Sequence, residues 1–139
     1  MTNLYKEIND NLQEPLLEMA RIGFTNDSYE VYVNTDDPGD IPHFHYRKKG
    51  TWEGHTCIRL DKPEYFQHGD KQATLNSKQK KELVNFLKSK PLKAKRFDTN
   101  WEYLINEWNA NNSNIEIAED TKMPDYNKLS TSKDKVGAV

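Results

Sequence analysis

The chain has 139 residues and a net charge of −2, and 30% of its residues are charged against 35% that are hydrophobic. This length fits one domain, and the aromatic fraction of 11% supplies large buriable side chains that disordered chains lack. No apolar run approaches the roughly 20 residues that cross a bilayer, and the polar, acidic N-terminus differs from a secretory signal, so we expect a cytoplasmic protein without a membrane partner. The only cysteine, Cys57, cannot form an internal disulfide, as is usual in a reducing compartment.

Apolar residues at helical spacing mark the N-terminal region. Residues 4–12 carry one such pattern, and residues 15–22 carry a second that ends at Gly23, so the sequence predicts two short helices. The following segment, residues 29–33, alternates between apolar and polar side chains with period two. This alternation is typical of a half-buried strand.

Two further strands are predicted at residues 41–47 and 55–60, and a glycine-containing loop joins them. In the first strand Phe44 points to the core, and the histidines on either side of it point away because side chains alternate. Paired residue numbers in the resulting antiparallel hairpin sum to about 102. His45 is therefore expected opposite Cys57, on the polar face of the hairpin.

Two helices are predicted in the C-terminal half of the chain. One occupies residues 77–89, and the other begins at a capping box formed by Thr99 and Glu102. One or two additional strands are expected within residues 64–75. From Asn111 onward the chain has few large apolar residues and no sustained period, which predicts a flexible tail.

These elements predict an α+β fold with a small antiparallel sheet of about three to five strands, packed by N-terminal and C-terminal helices. Residues 1–110 form a single domain in this interpretation, and residues 111–139 form the flexible tail.

Three histidines and the cysteine lie close together on the polar side of the predicted hairpin. His43, His45 and Cys57, or His55 in place of one of them, come within reach of one ion, since opposed residues have Cβ atoms about 4.5–5.5 Å apart. Imidazole and thiolate suit zinc, and three protein ligands with an open position make a catalytic arrangement. The pattern permits a zinc hydrolase in which Glu53 accepts the proton of a bound water molecule.

Two arginines on the same side oppose the metal hypothesis. Arg47 is expected opposite His55, and Arg59 opposite His43, and fixed positive charges beside a divalent cation are unfavourable. We therefore predict a polar recognition face, solvated or turned to a partner, which requires no cofactor. Its binding residues are His43, His45, Arg47, Trp52, His55 and Arg59. An anion site for phosphate or carboxylate is the third possibility, and His68 is assigned to the surface.

The strand "IPHFHYR", followed by a glycine-containing hairpin, a lysine-rich helix and the helix "WEYLINEW", resembles a family of small bacterial proteins of unknown function with a P-P-H-F-H-V-like strand. The resemblance covers about residues 29–109, and its H-F-H core is the specific part. It implies a small antiparallel sheet with C-terminal helices and a role for His43 and His45. Some members of the family appear beside toxin–antitoxin-like genes, but the resemblance implies no established activity.

Charge is distributed unevenly along the chain. Residues 78–96 hold eight Lys or Arg against one Glu, whereas residues 1–40 hold nine Asp or Glu against two Lys or Arg. The basic segment is a candidate nucleic-acid surface, and the acidic region favours a protein partner. Because no carboxylate lies beside the histidines on the strands, we predict a small soluble binding or regulatory module. The zinc hydrolase and the nucleic-acid binder are the alternatives.

Overall fold

A four-stranded antiparallel sheet organises the part of the chain that the computed structural model describes, which is residues 19–34, 41–51, 54–66 and 73–129. The strands lie in the order of the sequence, each beside the next. They are β1 (Met19–Phe24), β2 (Tyr29–Asn34), β3 (His43–Lys48) and β4 (Thr56–Arg59). Two helices follow, α1 (Ser77–Lys88) and α2 (Asn100–Asn111). The predicted α+β class with a small antiparallel sheet is confirmed.

The first strand corrects the prediction of a helix over residues 15–22. Residues 19–24 instead pair with β2, with Ala20 opposite Val33 and a register shift between Arg21 and Gly23. A short apolar run is compatible with either element, and pairing with a neighbouring strand decides between them because helix propensity is a weak preference. Residues 1–18, which include the first predicted helix, lie outside the described residues.

The β3–β4 hairpin has the predicted register. His43 pairs with Arg59 and His45 with Cys57, so the paired numbers sum to 102. In the described part of the region predicted to hold a further strand, residues 64–66 run beside β4 through a bridge between Ile58 and Tyr65. Residues 67–72 of that region lie outside the described residues.

The two helices begin at side-chain caps and bury one face each, as predicted. In α1 the Asn76 side chain accepts from the backbone N–H of Gln79, and the Gln79 side chain accepts in return from the backbone N–H of Asn76. At the start of α2, Thr99 Oγ1 accepts from the backbone N–H of Glu102 at 3.2 Å. The Glu102 side chain accepts from the backbone N–H of Asp98 and not from that of Thr99, so the predicted capping box forms only in part. The buried helical residues are Leu83, Val84 and Leu87 of α1, and Asn100, Trp101, Leu104, Ile105 and Trp108 of α2. None of the helices in the described ranges is long and apolar enough to cross a membrane.

Residues after α2 complete the core, which corrects the expectation of a flexible tail for the segment 113–129. Tyr126 is fully buried and Leu129 is 5% exposed, and both belong to the same apolar cluster as the sheet. The indole N–H of Trp101 donates to the carbonyl of Thr121, and that of Trp108 donates to the carbonyl of Ile115. These aromatic side chains pack in the core while their polar atoms form hydrogen bonds, and such contacts hold the segment in place. The segment can therefore be ordered without the repeating apolar pattern of a helix or strand. Residues 130–139 lie outside the described residues.

Candidate metal centre

The histidines of β3 are buried, whereas the sequence predicted a solvated or partner-facing polar face. His43 has no exposed surface, His45 is 2% exposed, and Cys57 on the paired strand has none. The alternation itself was predicted correctly, because Phe44 and Ile58 oppose each other and belong to the apolar core. Both sides of the sheet are therefore withdrawn from water at this position.

The ligand atoms of His43, His45 and Cys57 all lie within 4.8 Å of one another, so the cluster could hold a metal ion. His45 Nδ1 lies 3.3 Å from Cys57 Sγ and 3.2 Å from His55 Nε2. Zinc bonds of about 2.0–2.1 Å to nitrogen and about 2.3 Å to sulfur place tetrahedral ligands about 3.3 Å (N to N) and about 3.6 Å (N to S) apart. The donor atoms around His45 are already close to this spacing.

Backbone and aromatic contacts fix the orientation of His43. Its Nδ1 lies 2.8 Å from the carbonyl oxygen of Ile41. A carbonyl can only accept, so Nδ1 carries the proton, and Nε2 carries the lone pair in the neutral ring. The ring packs against Phe66 and Trp108, with centroids 4.4 and 5.3 Å away. A backbone carbonyl on one ring nitrogen is the usual support for a histidine that binds metal through the other.

His45 is held by β2. Its Nε2 lies 3.3 Å from Asn34 Nδ2, and its ring stacks on Tyr32 with centroids 5.0 Å apart. With the Asn34 amide as donor, His45 carries its proton on Nδ1. A half-turn of that amide presents its oxygen to an Nε2 proton and frees Nδ1 as a ligand. Asn34 can therefore support His45 in both of its neutral tautomers. Neither Asn34 nor Tyr32 was identified from the sequence, although Tyr32 lies on the same face of the sheet as His45.

Carboxylates pair with the arginines that were expected to repel a cation. Glu30 is 1% exposed, and it receives Arg47 Nε at 3.0 Å and Arg21 Nε at 2.6 Å. Arg59 makes a two-pronged contact with Asp61, with both distances 2.8 Å. The hydrogen bonds and charge of this guanidinium lower the pKa of Asp61. The electrostatic argument against a metal is correspondingly weaker, and the fork of Arg59 is already used, which weakens the anion-site hypothesis.

The remaining sequence-predicted site residues are not all brought to this cluster. His55 joins it and is half-buried. Arg59 lies on the same sheet face as His43 but points its charge at Asp61. The candidate base Glu53, the candidate contact residue Trp52 and the surface candidate His68 lie outside the described residues.

Several charges of the basic segment 78–96 have partners within the chain. Lys80 Nζ donates to the carbonyl of Leu129 at 3.3 Å. Lys90 Nζ donates to the carbonyls of Lys95 and Phe97 at 3.0 and 3.1 Å. These lysines anchor the segments that follow the helices as well as carrying surface charge.

Comparisons with protein-family models, with curated proteins and with solved structures found no match. The resemblance through the H-F-H strand therefore stays a likeness of motif.

Proposed function

We propose that this protein is a small cytoplasmic binding module whose β3–β4 hairpin is held by a late first-row metal ion, with zinc as the leading candidate. The observation that carries the proposal is the burial of His43, His45 and Cys57 with ligand atoms within 4.8 Å of one another. Imidazole nitrogen and thiolate sulfur together suit zinc better than they suit magnesium or calcium, which take oxygen ligands.

Charge balance supports the same proposal. A thiolate at Cys57 would offset half of the charge of a divalent ion. The neighbouring Arg47 and Arg59 are already paired with Glu30 and Asp61. A buried ion is tolerated when its charge is offset and its surroundings supply hydrogen bonds.

His55 favours a structural or regulatory ion over a catalytic one. Its Nε2 lies 3.2 Å from His45 Nδ1, outside the converging group of His43, His45 and Cys57, and a side-chain movement would bring it to the fourth coordination position that a hydrolase leaves to water. A hydrolase also needs a base, and the two oxygens of Glu30, on the same face, are occupied by Arg21 and Arg47. The geometry therefore supports a binding module better than it supports a hydrolase. Lys80 and Lys90 of the basic segment donate to backbone carbonyls of the chain itself, which favours a protein partner over nucleic acid.

Calorimetric titration of zinc into chelator-treated full-length protein tests the metal centre. We expect one ion per chain with submicromolar affinity, and weaker binding in acid because the ligands must lose their protons. The variants are His45→Ala and the nearly isosteric Cys57→Ser, each checked for folding by circular dichroism. Both should lose most of the affinity.

Thr56→Val provides the matched control on the same strand. Thr56 pairs with Tyr46 on the opposite face from Cys57, and within the part of the chain that the structure describes its buried hydroxyl has no hydrogen-bond partner. This variant should therefore bind zinc as the natural chain does. Weak zinc binding that is indifferent to a folded Cys57→Ser variant would contradict the metal centre.

A further inference from the structure

An open groove lies on the side of the sheet formed by β1, remote in strand order from the cluster on β3 and β4. It encloses about 480 Å³, within the range of about 300–1,000 Å³ that is typical of ligand sites. Its walls come from β1, α1, α2 and the segment between the helices, and they include Phe24, Phe86 and Tyr103. Leu92, which is 88% exposed, stands at its edge and is the large hydrophobic residue that the described chain leaves exposed.

The groove is apolar inside and mainly basic around its lining. Lys90 and Lys93 contribute two positive charges, and Glu82 contributes one negative charge. Arg21 also lines the groove, but its guanidinium is paired with the buried Glu30. Lys49 adds to this field, since its Nζ lies 5.2 Å from the centroid of the Phe24 ring. The apolar walls and the excess of positive charge around them favour a ligand that combines apolar groups with carboxylates.

The two edges of the sheet differ in backbone pairing. At the β4 edge the N–H of Arg59 donates to the carbonyl of Glu64, and the N–H of Phe66 donates to the carbonyl of Cys57. Within the described residues no strand pairs with the corresponding outer edge of β1. A sheet edge of this kind accepts an extended peptide as an additional strand.

We infer that the groove and the adjoining edge of β1 bind an extended acidic peptide from a partner protein. The peptide backbone would pair with β1, its apolar side chains would enter between Phe24 and Phe86, and its carboxylates would meet Lys90 and Lys93. Glu82 Oε1 is buried and has no hydrogen-bond partner among the described residues, so it can accept from an N–H of the peptide. This inference names the partner of the proposed binding module, but it does not depend on the metal.

The absence of a side chain at Gly23 lets the Phe86 ring lie against β1. A Cβ atom added at this position would come 2.9 Å from Phe86 Cζ, which is too close for ordinary contact. The ring would have to move, and the wall that it forms would move with it.

Fluorescence polarisation of a labelled ten-residue peptide that alternates glutamate with leucine tests the inference with the full chain. The variant Lys93→Glu should weaken binding by roughly fivefold, through loss of one surface ion pair and addition of a repulsion. Lys128→Glu, an exposed lysine of the short turn Tyr126–Lys128, is the matched control and should leave binding unchanged. Gly23→Ala should also weaken binding.

Two altered peptides separate charge from backbone pairing. A peptide with lysine in place of glutamate should bind more weakly, and so should one whose N–H groups are blocked by methylation on the strand-pairing side. Equal binding of either altered peptide, or an equal effect of Lys93→Glu and Lys128→Glu, would overturn the inference.

Other occupants of the groove are detected in parallel. A dimer in analytical ultracentrifugation that Lys93→Glu dissociates would assign the groove to a second copy of the chain and overturn the partner peptide. The titrations are performed with zinc and with chelator. Peptide binding that persists under chelation supports the groove even if the zinc titration fails, so the two proposals are tested separately.

Discussion

The two faces of the sheet are both buried, but they are built from opposite chemistry. One is apolar and includes Val31, Phe44 and Ile58, none of which has exposed surface. The other carries Glu30 and His45, which are 1% and 2% exposed. Burying an unpaired charge or an unsatisfied polar group is costly, so the second face can exist only because its groups bind one another. This small sheet is therefore held by dispersion and apolar burial on one side and by polar pairing on the other.

The largest expected effect lies on the apolar face. Replacing Phe44 by Ala should lower the free energy of unfolding by about 3–5 kcal/mol, through lost burial and the cavity that remains. Urea denaturation measures the loss, and Phe44→Leu, which keeps most of the apolar volume, should cost much less. A loss below about 1 kcal/mol for Phe44→Ala would show that this face is not the dominant source of stability.

A smaller effect is expected at the centre of the polar face. Glu30→Gln keeps the shape of the side chain but removes the negative charge that Arg21 and Arg47 both contact. We expect a loss of about 2 kcal/mol, below the value for a fully buried pair because Arg21 is 47% exposed. Thermal and urea unfolding report the change, and unchanged stability would mean that water already screens this network.

The smallest effect is expected at the exposed margin of the same face, where Asp61→Asn is the matched carboxylate-to-amide change. The pKa of Asp61 is lowered by Arg59, so the pair stabilises the fold above the carboxyl's unfolded pKa of about 3.9. That stabilisation is lost as the pH falls through the lower folded pKa. Asp61 is 39% exposed, so we expect a difference below about 1 kcal/mol at neutral pH. Unfolding at pH 7 and in strong acid measures it, and a difference that stays constant across this range would contradict the ion-pair explanation.

Local rules were sufficient for the hairpin and the helices. The period of the side chains and the length of the loop determine the pairing of His45 with Cys57, and capping residues mark where α1 and α2 begin. The strand at residues 19–24 could not be predicted in this way, because its apolar residues satisfy a helix equally well until β2 lies beside it.

The candidate site was predicted only in part, for a different physical reason. Alternation places His43, His45 and Cys57 on one face, but burial depends on what packs there from distant parts of the chain. Trp108, which contacts His43, lies 65 positions later (108 − 43 = 65). The pairing of Glu30 with Arg47 is likewise a tertiary contact. The sequence alone does not show it, and therefore predicts that the arginines repel a cation.

Tyr126 also contacts a distant part of the chain, since its hydroxyl donates to the carbonyl of Arg59, 67 positions earlier. At a synthesis rate of about 5–20 residues per second, the ribosome needs about 3–13 s to add this intervening stretch. For that interval β4 and the apolar face beside it lack the aromatic ring that later covers Phe44. The nascent chain therefore exposes this apolar face until Tyr126 has been synthesised and can pack on it. The speed of translation through residues 60–126 sets how long that surface is open to aggregation or to binding by chaperones.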